Sequence, residues 1–468
     1  MELWNTWFRL VNHFQAACRR KQTFFWLIVV LIGFSIKSDF LGVTSLVRGA
    51  GLSSGYYTCL LHFFDSQAID LMSLRYLWIN IIFTRFTGLV RINGRCLIIG
   101  DGIKVGKEGK KMPAVKWLHQ ESESNSKAEY IMGHSLQVLA ILVQGLCTHF
   151  AVPLAGEIHE GIRLSTKDNL TLLDKLFGLL ISLKLPDKFY LIADKYYCSG
   201  SFMKKLIASG SDIITMMKKN AVAYYPCREK KAKRRGRPRK YGERVKLFDL
   251  FKANLNFVSA PMPNHPKLTI EYCVMKLFWK PVGKLVQFVF VKHPIKGNKI
   301  AMSTDLTLDP LDLILCYALR SKIEVSFKQA IHQIGVFMYR FWLKVMTPIK
   351  RGSGDQELQF TPSYFKKKFI RKLNAYHLFI QLGLIAQGLI QYLSIHVPGL
   401  VLENFGTWLR TMRKNMLPSE KVVSMSLSNT YYEFLADDSN ETIFKKFIIR
   451  RMHFFNKARY FLNAVQLT

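Results

Sequence analysis

The sequence predicts an α/β chain: a mixed-sheet core that carries a β-rich insert, flanked by helical N- and C-terminal regions. Three observations predict it. Short, continuously apolar runs bounded by Gly or charge alternate with helix-period stretches through the middle of the chain. A second group of strand-like runs interrupts that alternation, and both ends read as helical.

Residues 1–92 are rich in Leu, Phe and Trp and predict a helical N-terminal region. The run TFFWLIVVLIGFSI, residues 23–36, is flanked by Arg19, Arg20 and Lys21 before it and Lys37 after it. It falls short of the roughly 20 residues that span a bilayer, so it reads as a buried helix and no membrane partner is expected. No small-residue cleavage site follows it, which argues against a secretory leader. The stretch TSLVRGAGLSSGYYTCLLHFF predicts a short helix, a glycine-containing turn and a second helix from Ser53. It fits a helix-turn-helix or an ordinary helical hairpin.

From Arg95 the pattern turns to strands. LIIGD, AVKWL, SLQVLAILV and HFAVPLAGE precede a helical stretch at 167–184, then comes FYLIAD, a helix at 199–209 and the strand DIITMM. This is the order of a ribonuclease-H-like mixed sheet, with residues 93–220 as the first part of the core. Continuously apolar runs are central strands buried on both faces. Asp101 and Asp194, each closing such a run, are expected at neighbouring strand ends, where ionised carboxylates require a compensating cation.

Residues 221–305 form the insert, with strand candidates KLTIEYCVMKLFW and KLVQFVFVKH around a turn at PVGK. Residues 306–345 complete the core with a helix over LDLILCYALRSKIEVSFKQAIHQIG. At about 100° per residue its apolar face is Leu319, Ile323, Phe327, Ala330 and Ile334. Tyr317, Arg320, Glu324 and Lys328 share the adjoining stripe. Residues 346–468 predict a helical C-terminal region.

With 67 Lys and Arg against 32 Asp and Glu, the net charge of +35 points to a polyanionic partner. The segment Arg228–Lys246 holds eleven Lys or Arg against two Glu, which predicts an exposed loop. Arg235-Gly236-Arg237-Pro238, followed by Arg239 and Lys240, resembles an arginine hook for a narrow minor groove; the plainer reading is a solvated run making phosphate contacts. The eight cysteines are scattered without a C-x-x-C pair, so neither a zinc module nor a disulfide framework is indicated. GDGIKVGKEGKK lacks the spacing of a phosphate loop, and its lysines 104, 107, 110 and 111 read as a DNA-lining or surface set. In FMYRFW, Tyr339, Arg340 and Trp342 are candidates to stack on a splayed base.

Tyr317-Ala318-Leu319-Arg320-Ser321-Lys322-Ile323-Glu324 resembles the Tyr-x-x-Arg-x-x-x-Glu signature of the DDE transposases of bacterial insertion sequences, in the insertion-sequence-four-like class. The segments around Asp101 and Asp194, and STDLTLDPLDLILCY, extend the resemblance over most of residues 95–345. It implies a catalytic and metal-binding triad of Asp101, Asp194 and Glu324 that holds two Mg²⁺ or Mn²⁺ ions for phosphoryl transfer. Tyr317, Arg320 and Lys328 are then DNA contacts, and residues 1–92 are a DNA-binding region that touches the terminal repeats. The implied partners are double-stranded DNA, as the element's terminal inverted repeats and a target, and a second protomer in the synaptic complex. The implied compartment is the bacterial cytoplasm, at the nucleoid. Two departures stand out: Ile331 where the family has Lys, and Ser321 where many relatives have Trp. They motivate an alternative, a relic that binds DNA without cutting it.

Overall fold

A computed structural model describes residues 2–120, 128–165, 170–227, 239–410, 412–413, 415–437 and 442–458. It is a mixed α/β fold with helical N- and C-terminal regions, and it divides into two compact units. One comprises Met1–Leu89, Gly102–Lys184 and Glu324–Thr468; the other comprises Val90–Asp101 and Leu185–Ile323.

In the second unit, Arg95–Asp101 is the first half of the strand Arg95–Gly106 and pairs in parallel with Phe189–Ile192. Phe189–Ile192 pairs in parallel with Asp212–Met216, and these strands are buried along Cys96–Ile99 and Phe189–Ala193. The helix Gly200–Ala208 connects them, burying Phe202, Met203 and Leu206. Beyond Asp212–Met216 the ladder turns antiparallel through Gly297–Ser303, Lys284–His293 and His265–Trp279. The last two are the hairpin expected of the insert. Val222–Pro226, Tyr241–Lys246 and Val258–Met262 also join this sheet.

In the first unit, Gly102–Gly106 completes the same strand beside Tyr130–Gln144, which pairs antiparallel with His149–Ile158 and with Lys116–His119. Here glycine is required at 133: a Cβ there would stand 2.3 Å from the carbonyl oxygen of Val105. Lys116–His119 starts two residues later than expected because Ala114 takes a positive φ of 67°. The helix Leu172–Ser182 opens on a capping box between Thr171 and Asp174. The strand sequence, with its two parallel pairings, matches the ribonuclease-H-like order.

The apolar run near the N-terminus is the helix Lys21–Ile36, buried from Phe24 through Ile36. Helices Val43–Gly49 and Tyr56–Asp65 follow, with a turn in which Gly51 has φ of 70°. The long helix Ser363–His396 is long and apolar enough to cross a membrane by length and composition, yet 89% of its most apolar stretch is buried inside the protein. Its polar residues are tied within the core. His377 Nε2 accepts from the backbone N–H of Ile158 at 3.1 Å, and Gln381 donates to the carbonyl of Leu154 at 2.9 Å. Gln387 donates to the carbonyl of Ser326 at 2.9 Å, and Gln391 to Glu420 at 3.2 Å. The donated bonds offset part of the cost of burying these amides, although Gln387 Oε1 and Gln391 Oε1 are buried without a hydrogen-bond partner.

The helix expected over residues 311–335 is broken. Pro310–Leu319, capped by Asp309, ends at Arg320; Ser321–Gln329 follows, and Ala330–Ile334 is π-helical. Across the break Arg320 N–H donates to Tyr317 and Ile323 N–H to Arg320, each bond spanning three residues. A tighter turn changes the angular step, so a single 100° count does not carry from Tyr317 to Lys328. Most of the apolar face survives: Leu319, Ile323, Ala330 and Ile334 are buried, and Phe327 is half-buried.

Candidate functional site

The parallel register fixes the first two acidic residues. Ile99 pairs with Ile192, so Asp101 and Asp194 each lie two positions beyond a matched pair on adjacent chains. Side chains two apart in a strand share a face, so Asp101 follows Ile99, while Asp194 lies two residues past the end of the strand Phe189–Ile192. Asp101 does not end its strand as expected. It stands mid-strand, where continuous burial gives way to alternation, because the residues after it continue the ladder into Gly106. Asp194 does close its run and caps the short 3-10 turn Lys195–Tyr197. Its carbonyl accepts the Thr215 hydroxyl at 3.0 Å, which anchors the backbone there.

Two side chains of the predicted stripe meet these carboxylates. Arg320 Nη1 donates to Asp101 Oδ2 at 2.9 Å, with about a fifth of either side chain exposed (19% and 20%). The Tyr317 hydroxyl donates to Asp194 Oδ1 at 3.4 Å. Burial pushes the Tyr317 hydroxyl up to about 12, with Asp194 adding to the rise against the opposing charge of Arg320, so it stays a neutral donor.

Asp194, Tyr317 and Arg320 border a cavity of about 920 Å³ in the second unit. Its wall is apolar, with Met216, Met217, Phe248 and Met262, and its rim is basic, with Lys195, Lys218, Lys219, Lys296 and Lys299. His293 on the same rim is held below its ordinary value by burial and then by the charges of Lys296, His265 and Lys299. A concave surface of one sign beside apolar walls concentrates anions.

Glu324 and Lys328 belong to the other unit, exposed on the helix Ser321–Gln329. Gln387 bonds that helix at Ser326 through both its carbonyl and its hydroxyl. Among the described residues, no group of three or more His, Cys, Asp or Glu side chains stands close enough to hold a metal ion. The donor chemistry suits a hard cation, since Asp101 and Asp194 offer carboxylate oxygens. The positive charge at Asp101 is supplied by the guanidinium of Arg320.

Arg235 and Arg237 lie outside the described residues; Arg239 and Lys240 are exposed just ahead of the strand Tyr241–Lys246. Two surface expectations are corrected. Lys107 is buried: its Nζ donates to the carbonyls of Phe337 and Tyr339 and sits 3.9 Å above the Tyr339 ring. Tyr339 is fully buried, with its hydroxyl 2.7 Å from His134 Nδ1 and its ring 4.8 Å from Tyr376, so it is closed to any base. Trp342 remains 65% exposed. The cavity's lysines were missed because Lys195, the pair Lys218 and Lys219, and the pair Lys296 and Lys299 come from three segments far apart in the chain. The closeness of Lys296 and Lys299 in KHPIKGNK was the signal within reach.

Residues 107–337 match the family model described as Transposase DDE domain. No curated protein matches the sequence. Among solved structures, the cryo-EM structure of a piggyBac transposase synaptic complex with hairpin DNA covers 95% of this chain and 83% of that one, at 10% identity and a TM-score of 0.36. The matched span takes in Asp194, Tyr317, Arg320 and Glu324, and the chain carries a transposase DDE domain.

Proposed function

We propose that this chain cuts the ends of an insertion sequence of the insertion-sequence-four-like class and joins them to target DNA. The observation that carries the reading is the placement of Asp101 and Asp194 two residues beyond the paired Ile99 and Ile192 of parallel strands, with the Tyr317 and Arg320 side chains on them and a lysine-rimmed cavity at Asp194. Asp101, Asp194 and Glu324 are assigned as the carboxylates that hold two divalent ions, Mg²⁺ or Mn²⁺. Such ions, when bound, activate water or a 3′-hydroxyl and offset charge on the leaving oxygen. The protein's own part is positional. Tyr317, neutral throughout the working range, donates to Asp194 and holds its carboxylate in place. The rim lysines and Arg320 take the phosphates, which sets the strand's register. Lys328 supplies cationic charge one turn beyond Glu324, and Arg235, Arg237, Arg239 and Lys240 add contacts along the duplex. The working form is a homodimer bridging two ends, acting in the bacterial cytoplasm at the nucleoid.

The alternative, a DNA-binding relic, is favoured by Ile331, which stands on the π-helical turn where the family carries a Lys. A plasmid bearing matched terminal repeats, incubated with the chain and Mg²⁺, separates the two readings. Cleavage and strand transfer that vanish in Asp194→Ala while end binding persists support the transposase. Binding without cleavage by the unaltered chain supports the relic, and cleavage that survives Asp194→Ala removes Asp194 from the site.

A further inference from the structure

We propose that Arg320 is a built-in stand-in for the cation at Asp101, so that binding of DNA phosphate and binding of a divalent ion reinforce each other. The proposal rests on the assignment of Asp101 as a metal ligand.

Asp101 Oδ2 is engaged by Arg320 Nη1 at 2.9 Å, and both side chains are largely withdrawn from water. An ion approaching that carboxylate meets a positive charge already in contact with it, and like charges that close are strongly unfavourable where water is scarce. Arg320 also borders the lysine-rimmed cavity, where a phosphate would arrive. Guanidinium groups pair with phosphate through two parallel N–H bonds, so a phosphate entering that cavity competes for the group that holds Asp101.

The backbone has the means for a change of partner. The helix is interrupted at Arg320, with three-residue bonds on both sides of it, and a tightened turn within a helix is a place where a side chain can be redirected. Tyr317, one turn before, keeps its own bond to Asp194, so the second carboxylate stays in position while the first changes partner. Linkage makes the effect reciprocal: whatever factor DNA adds to ion affinity, the ion adds to DNA affinity. Without DNA the chain would hold its ion weakly, which restrains hydrolysis away from a substrate. Arg320 is thus a positioning residue acting through Asp101.

The test is a Mn²⁺ titration of the full chain, read by electron paramagnetic resonance of the free ion, with and without a short duplex and with the duplex's own Mn²⁺ subtracted. For the unaltered chain the duplex should tighten Mn²⁺ on the order of tenfold, the usual range for coupled sites. Arg320→Gln should bind Mn²⁺ about that much more tightly without DNA and gain little on adding it. Arg320→Lys, which keeps the charge and loses the fork, should fall between and guards against misfolding of the first variant. Asp101→Asn should lose the ion in every setting. If Arg320→Gln and Arg320→Lys bind Mn²⁺ no more tightly than the unaltered chain while Asp101→Asn loses it, the stand-in is wrong and the metal assignment survives. If Asp101→Asn leaves binding unchanged, both fall.

Discussion

The Tyr317 hydroxyl donates to Asp194 Oδ1 at 3.4 Å, joining the last helix before the break to the end of a central parallel strand. A neutral hydroxyl placed there restrains a carboxylate without neutralising it. Tyr317→Phe removes only that oxygen. With one such bond worth about 1 kcal/mol, single-turnover end cleavage should slow roughly fivefold while the thermal midpoint barely moves. An unchanged cleavage rate would remove Tyr317 from the positioning of Asp194.

The cavity rim supplies a second prediction. Lys218, Lys219, Lys296 and Lys299 are exposed and border the same space as Asp194. If they meet phosphates, each Lys→Gln change lowers the slope of log affinity against log salt by about 0.9 for duplex DNA. A fourfold variant should bind far more weakly at low salt and lose much of its salt dependence, read by fluorescence anisotropy. A slope equal to that of the unaltered chain places the phosphate contacts elsewhere.

Arg75 supplies a third, about stability. It is 2% exposed and bonds Glu157 at 2.6 Å and Gln381 at 3.0 Å within the first unit. Burial pushes the Glu157 carboxyl up, but His159, His377 and Arg75 outweigh it and hold the group well below its ordinary 4.5. The folded chain therefore binds fewer protons here than the unfolded chain. The resulting stability is fully present above that ordinary value and is lost as pH falls below it. Arg75→Met leaves Glu157 facing two imidazoles and no guanidinium, and should cost about 3–5 kcal/mol in chemical denaturation at neutral pH. Adding Glu157→Gln should recover part of it.

Lys107 gives a pH dependence of the same sign in a higher window. Burial, with the charge of Arg340, draws its amine down to about 7 from 10.5. Between those values the unfolded chain keeps a proton that the folded chain has released, so stability rises with pH across the window. Lys37, also drawn down to about 7, acts in the same direction. Thermal midpoints should climb from pH 7 to pH 9 in the unaltered chain, and the climb should shrink in Lys107→Met and further in the double variant with Lys37→Met. A flat profile in the unaltered chain would contradict this.

The parts of the fold legible in the sequence were those set by local physics. The runs ending in Asp101 and Asp194 announced buried parallel strands, and the helix period announced the face of Leu319, Ile323, Ala330 and Ile334. What escaped was set by distant partners. Lys107 looked like surface because a lysine in a glycine-rich stretch usually is; only the carbonyls of Phe337 and Tyr339, more than 200 positions away, make its burial tolerable. Tyr339 was hidden for the same reason, by His134 and Tyr376. The break at Arg320 has no Gly or Pro to announce it, and the residue's ion pair with Asp101 is formed across 219 positions. The rim lysines of the cavity come from three separate segments, which no single window brings together.

The most direct measurement of the central claim maps where a divalent ion sits. Fe²⁺ in place of Mg²⁺, with ascorbate and peroxide, breaks a polypeptide beside its ligands, and the fragments can be sized with duplex ends bound. Cuts next to positions 101, 194 and 324, all lost in Asp194→Ala, are the predicted result. Cuts confined to other positions, or the same three persisting in Asp194→Ala, would contradict the assignment of these carboxylates as the metal site of a transposase.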